Sequence, residues 1–427
     1  MTTLEIKLKQ HTPLIHFQHD QYGATLRASE VKPKLDKFII RRLKESGEYE
    51  RGIHEGWIKS KNGKEWLDYK MRIEDTNVTV WGMSRDTGRV NPNNNKPIIE
   101  SMPLFFGNMH GRDVITPMEK KMVFTPDPIS MNLTSRSAAL LDVIKMNLNT
   151  FFILHGFGTR QSKGFGCFMP EVSNVQQIIP GTFAKFSWRL PNDNCRFGSW
   201  DGYFALFTAI DFFYKLLRSG INQNGVYMKS MMYFYAIDME EYWDKRAIRY
   251  AFQHFTPDRQ RDRGERSDMR GDGENSRENA RLYRDMLGLS SVQTWRAYDN
   301  DVITKEHNPI NPENKIDRFK SPLLIKPLFR DGQFEVYLIP SPIPTPYLNA
   351  EFNISSQRRH QSFCMRTPSR FDVSDLLQFI TCEDFADFIK ENLTEISNRA
   401  EREHKNAARK IAKTLLAIYN NIEYVER

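Results

Sequence analysis

The sequence predicts an α+β protein of two successive domains, each an antiparallel sheet with helices on one face. Three observations carry this. The chain opens on a period-two alternation, Leu4, Ile6 and Leu8 against Glu5, Lys7 and Lys9. A 3.6-period stripe of Leu140, Leu141, Ile144 and Leu148 runs through residues 135–152. Strand and helix patterns then begin afresh near residue 180, and 427 residues suit about two or three domains.

The first strand pattern continues to about Phe17 and is followed by the polar segment His19-Asp20-Gln21-Tyr22-Gly23. A helix is expected from the period of Leu35, Phe38, Ile39 and Leu43, with Ser29 as N-cap and Pro33 in the first turn. Leu67–Ile73 and Val78–Met83 read as short strands around Asp75-Thr76-Asn77, and Gly88 to Lys96 as an exposed loop tip. Two more strands, Lys121–Phe124 and Ile129–Leu133, precede the amphipathic helix over 135–152. A glycine-rich loop at 156–166 and the strand Phe165–Met169 end the first round. Strand–helix–strand–strand–helix–strand is the ferredoxin-like order.

The second round has a strand at Thr182–Leu190, a helix at Gly202–Leu217, a strand at Lys229–Ile237 and a helix at Glu240–Phe255. A hairpin follows, Ser321–Phe329 with Gln333–Ile339 around Asp331-Gly332, and Asp384 to Tyr419 is helical. The expected domains are therefore 1–180 and a degenerate copy at 181–427. Within the latter, 258–285 holds eight arginines, eight carboxylates and no lysine, and reads as a mobile charged insertion.

The composition, 40% apolar and 27% charged, excludes whole-chain disorder and a fibrous rod. Lys plus Arg exceed Asp plus Glu by 61 to 53, a net +8 that hints at a polyanionic partner. Cys167, Cys195, Cys364 and Cys382 are far apart and fit neither a zinc site nor a disulfide framework. The N-terminus has no apolar signal core, and the most apolar stretch, Tyr203 to Leu217, is too short to span a bilayer. A soluble cytoplasmic protein with no membrane contact is expected.

The sharpest local feature is Gly156-Phe157-Gly158-Thr159-Arg160-Gln161-Ser162-Lys163-Gly164-Phe165-Gly166. Its glycines free the backbone for close approach, and Thr159, Arg160, Gln161, Ser162 and Lys163 offer hydroxyls, an amide and cations suited to phosphate and ribose. It is neither a Walker A loop nor a dinucleotide-binding turn, so no cofactor is expected. A plain connector is the alternative. A second candidate is the helix start, where Arg27, Lys32 and Lys34 lie beside Thr25 and Ser29, against the alternative of an ordinary capped helix. A third is the stretch from Ser355 to Arg370, with Arg358, Arg359, His360, Arg366 and Arg370 and no carboxylate. Phe352, Phe363 and Phe371 around it suggest base stacking, against a solvated basic loop. His16 and His19, next to Asp20, invite an acid–base or metal reading, but no third ligand is evident.

Taken together, the opening strand, Leu26-Arg27-Ala28-Ser29-Glu30-Val31-Lys32 and the glycine loop resemble the repeat-associated (RAMP) proteins of CRISPR systems. Arg281-Leu282-Tyr283-Arg284-Asp285-Met286-Leu287-Gly288 and Ser321-Pro322-Leu323-Leu324-Ile325-Lys326 make the chain most similar to the large two-domain head subunit of type III-B (Cmr) effector complexes. Pro33 departs from the pattern, which often has Gly after the Lys, and the second half lacks a glycine loop. The resemblance implies two ferredoxin-like, RRM-related domains and a non-catalytic subunit that holds guide (crRNA) backbone, with target single-stranded RNA and other type III effector subunits as partners. It implies RNA contacts at Arg27, Ser29 and Lys32 and at Thr159, Arg160, Gln161, Ser162 and Lys163. Lys34, Arg358 and Arg359 join them on charge alone. The rival within the same superfamily is a metal-independent guide-RNA-processing endoribonuclease with His19 or His16 as base.

Overall fold

The computed structural model describes residues 1–16, 25–74, 76–92, 94–103, 121–193, 195–252, 280–295, 300–309 and 311–426. The first sheet holds β1 (Thr2–Gln10), β2 (Lys70–Ile73), β3 (Ile129–Ser135) and β4 (Phe168–Pro170) in the spatial order β4-β1-β3-β2. All three pairings are antiparallel, with Leu8 opposite Ile129 and Met71 opposite Leu133. Helix α1 (Ala28–Glu45) follows β1 and α2 (Ala138–Leu154) follows β3. Leu35, Ile39, Ile144 and Leu148 from these helices bury against Leu8, Met131 and Leu133.

The second domain repeats the arrangement. Its sheet contains β5 (Phe183–Trp188), β6 (Leu323–Arg330), β7 (Gln333–Pro340) and β8 (Glu423–Val425) in the order β6-β7-β5-β8. Read from the other edge this is last, first, third, second, the same as the first sheet. Helix α3 (Trp200–Arg218) follows β5, and α4 (Asn406–Tyr419) leads into β8. Chain inserted within this frame builds a six-stranded sheet that includes Asp301–His307, Glu351–Ser356 and Gln361–Arg366, and adds the helix Glu383–Arg402.

The second sheet is buried on both faces. Along β6, Leu323 and Ile325 face α3 and α4, while Leu324 and Leu328 join the core of the first domain. β7 divides likewise, with Val336 and Leu338 on one side and Tyr337 and Ile339 on the other. An unbroken apolar run such as Leu323-Leu324-Ile325 is what a doubly covered strand requires. One sheet therefore forms a wall shared by two cores.

Several expectations need correction. Residues 229–237 form no strand, because Ser230 caps a helix, Met231–Asp238, by accepting from the Tyr233 N–H at 3.1 Å. The helix after it is shorter than expected, Asp244–Ala251. Leu67–Ile73 is broken at Asp68, whose N–H turns to the Trp57 carbonyl (2.8 Å). Ser29 is not the N-cap: α1 begins at Ala28 behind Arg27, with no side-chain cap. Pro33 lies in the second turn, where it has no N–H to donate to the carbonyl of exposed Ser29. The end of the expected mobile insertion, 280–285, is packed into the core with Tyr283 and Asp285 fully buried, whereas 258–279 lies outside the described residues. No described helix is long and apolar enough to cross a membrane.

Candidate nucleic-acid interface

The glycine loop and the start of α1 form one structure. The Glu30 carboxylate accepts from the Gly158 N–H at 2.6 Å. One turn on, Lys34 Nζ donates to the Gly156 carbonyl and to Gln161 Oε1, each at 3.2 Å. The i,i+4 spacing of Glu30 and Lys34 puts both on the helix face that meets the loop. Burial lowers the Lys34 pKa, Glu30 opposes the shift, and nearby Lys320 of the second domain adds to it. Lys320 was not among the residues that the sequence singled out, and nothing in its neighbourhood there pointed to Lys34.

The glycines serve the protein's own packing. Gly158 has φ +71°, and a Cβ there would overlap the Ile15 carbonyl. At Gly166, with φ +63°, a Cβ would overlap the Phe157 carbonyl. The Thr159 N–H donates to Ile15 O (2.7 Å), Gly166 N–H to Pro13 O (2.8 Å), and the Ser162 carbonyl accepts from Ile325 N–H (3.1 Å). Phe157 inserts into the first core, while Phe165 stacks on Phe207 in the second at 3.8 Å between centroids. The loop is a seam between the two domains.

This seam turns some expected contacts inward. Lys163 is only 8% exposed, with its ammonium 3.3 Å from the Tyr214 ring centroid. Burial, then Arg218, pushes it well below the usual lysine value. Lys32 is committed to Asp36 (2.7 Å), the Leu67 carbonyl (3.1 Å) and the Tyr69 ring. Lys163 is thus turned into the protein, while the Lys32 side chain keeps 25% of its surface exposed. The positive end of α1 is already answered by Glu30. Half-buried Arg27 and exposed Ser29 flank that helix start. Arg160 is half-buried with φ +57°, and burial lowers its guanidinium to about 10.

Arg358 and Arg359 sit elsewhere, at the exposed turn between the strands Glu351–Ser356 and Gln361–Arg366. Buried Asp301 fixes this turn: one oxygen accepts from the Arg358 N–H (3.0 Å), the other from the Ser356 hydroxyl (2.6 Å). The Arg359 N–H in turn donates to Ser356 Oγ at 3.0 Å. Side chains of Arg358, Arg359 and His360 all lie at the surface. Phe352 and Phe371 do not stack outward as expected but belong to the core, and Phe363 packs edge-on against Phe252. His16 is buried, and His19 and Asp20 lie outside the described residues.

Arg281 to Gly288 is a fastening. Lys305 and Asp285, both fully buried, pair directly, and Arg218 of α3 lies 3.7 Å from the same carboxylate. Burial pushes Asp285 up, but Lys305 and then Arg218 outweigh it and hold the carboxyl below its usual value. Arg284 pairs with buried Asp244 at 2.7 Å. These pairs tie α3 to the inserted sheet.

A family model described as the Cmr1 N-terminal domain matches residues 1–221, and one described as the Cmr1 C-terminal domain matches 227–406. No curated protein matches. Among solved structures, the crystal structure of Cmr1 from Pyrococcus furiosus in its apo form aligns over 89% of this chain and 96% of that one, at 11% identity and a TM-score of 0.34.

Proposed function

The chain belongs to the Cmr1 family, and from that premise we propose that it is a non-catalytic RNA-binding subunit of a type III-B CRISPR effector ribonucleoprotein in the cytoplasm, gripping guide RNA, and target RNA with it, by the backbone. We read both domains as ferredoxin-like, a reading supported by the shared sheet order β4-β1-β3-β2 and β8-β5-β7-β6.

One observation carries the RNA reading: the exposed turn with Arg358, Arg359 and His360, held rigid by Asp301 in a stretch with no carboxylate from Ser355 to Arg370. A rigid turn bearing guanidinium groups suits phosphate. The Arg27, Ser29 and Lys34 seam with Lys320 would be a second contact. The cross-strand rows of the first sheet that hold Glu5, Asn132 and Arg72, then Lys7 and Ser130, carry no ring for base stacking, and Lys7 there pairs with Glu5 at 2.7 Å.

The test is to mix the purified chain with end-labelled single-stranded RNA across a salt series, with and without chelator, on native and denaturing gels. Salt-sensitive binding of intact RNA supports the proposal. Discrete cleavage products would replace it with the endoribonuclease reading.

A further inference from the structure

We infer that the face shared by the helix Met231–Asp238 and the start of the helix Glu383–Arg402 is a docking surface for a protein segment carrying cations around an apolar side chain. Phe388 is 42% exposed and Ile237 52% exposed. Half-buried Phe234 links them, since its ring lies 5.4 Å from that of Phe388 and Ile237 follows it by one helical turn. A single exposed apolar residue is ordinary, but these three are contiguous.

Three carboxylates stand beside the apolar spot. Asp238 lies four residues after Phe234, while Asp384 and Glu391 lie four before and three after Phe388, so all three helix-surface positions border the apolar spot. All are exposed, and none forms an ion pair with a described residue. The nearest lysine on that helix, Lys390, is held by Asp387 at 2.8 Å. On a chain of net +8, this acidic border runs against the overall balance. It repels phosphate and attracts a cationic partner, while the aromatic centre supplies contact area. This surface stands apart from the RNA reading.

The probe is a labelled amphipathic helical peptide of Leu and Lys, compared with its Leu and Glu counterpart, titrated into the full chain. Hydrogen exchange is followed at 231–238 and 383–395. The Lys peptide should bind, protect these two segments and leave the Glu peptide behind. Replacing Phe388 and Ile237 by Ser should weaken binding roughly tenfold or more, as for loss of a central aromatic anchor. Asp384→Asn with Glu391→Gln, which leaves the apolar spot intact, should weaken it at low salt and little at high salt. Equal binding of both peptides, protection elsewhere, protection of this face by single-stranded RNA, or indifference to both variants would overturn the inference.

Discussion

The Lys326 ammonium, fully buried in β6 of the second domain, donates to the Phe152 carbonyl at the end of α2 in the first, 2.7 Å away. It also donates to the His155 carbonyl at 2.7 Å. A cation at a helix C-terminus meets both the unbonded carbonyls and the negative end of the dipole. One side chain thus caps a helix across the domain boundary.

Replacing Lys326 by Met keeps the volume and removes both bonds. The orphaned carbonyls should cost about 2 kcal/mol or more. Because the second sheet is the wall of both cores, denaturant unfolding should stay a single transition shifted to lower denaturant. Two separated transitions would show that the domains unfold independently.

Asp285→Asn leaves Lys305 fully buried and without its counter-ion. Loss of one partner from a buried pair costs about 3–5 kcal/mol. The double variant with Lys305→Met should recover part of that loss in equilibrium unfolding, since neither charge is then stranded.

Gly158→Ala should destabilise the chain with no RNA present, because φ +71° and the Ile15 carbonyl leave no room for Cβ. The check is thermal melting of the free protein. A variant that melts normally and fails only in RNA binding would assign this glycine to ligand approach instead.

His155 sets a pH dependence. Burial lowers its pKa to about 4, the Phe151 carbonyl opposes that, and Lys326 adds to it. The folded value lies below the unfolded one, so between them the unfolded chain binds the extra proton. Stability should therefore fall as pH drops from about 6.5 to about 4, by up to about 3 kcal/mol from this group. His155→Phe should flatten that part of the stability–pH curve. Fully buried His11, also lowered by burial, will leave a residual slope.

Much of the frame was legible from pattern alone. The alternation of Leu4, Ile6 and Leu8, the stripe through Leu140 to Leu148 and the Asp331-Gly332 turn lie in a strand, a helix and a hairpin as expected, although the strand ends at Gln10 and not near Phe17. Met231 to Ile237 was not legible, because an all-apolar run has no period and Ser230 decided it locally. Side-chain environment was less legible than the frame. Lys163 looks like a surface cation in sequence, yet the Tyr214 ring draws its ammonium inward, and Lys32 is partly covered by Asp36 and the Tyr69 ring. Asp301, which rigidifies the arginine turn, lies far from it in sequence and carries no local signal.

The central claim is that exposed cations on a rigid turn hold RNA backbone. The direct measurement is the salt dependence of single-stranded RNA affinity for the wild type, Arg358→Ala with Arg359→Ala, and Lys163→Met. The arginine variant should bind all sequences more weakly and flatten the log–log slope by about 0.7 for each phosphate that is no longer neutralised. Lys163→Met should match the wild type. An unchanged slope in the arginine variant, or flattening by Lys163→Met alone, would contradict the account.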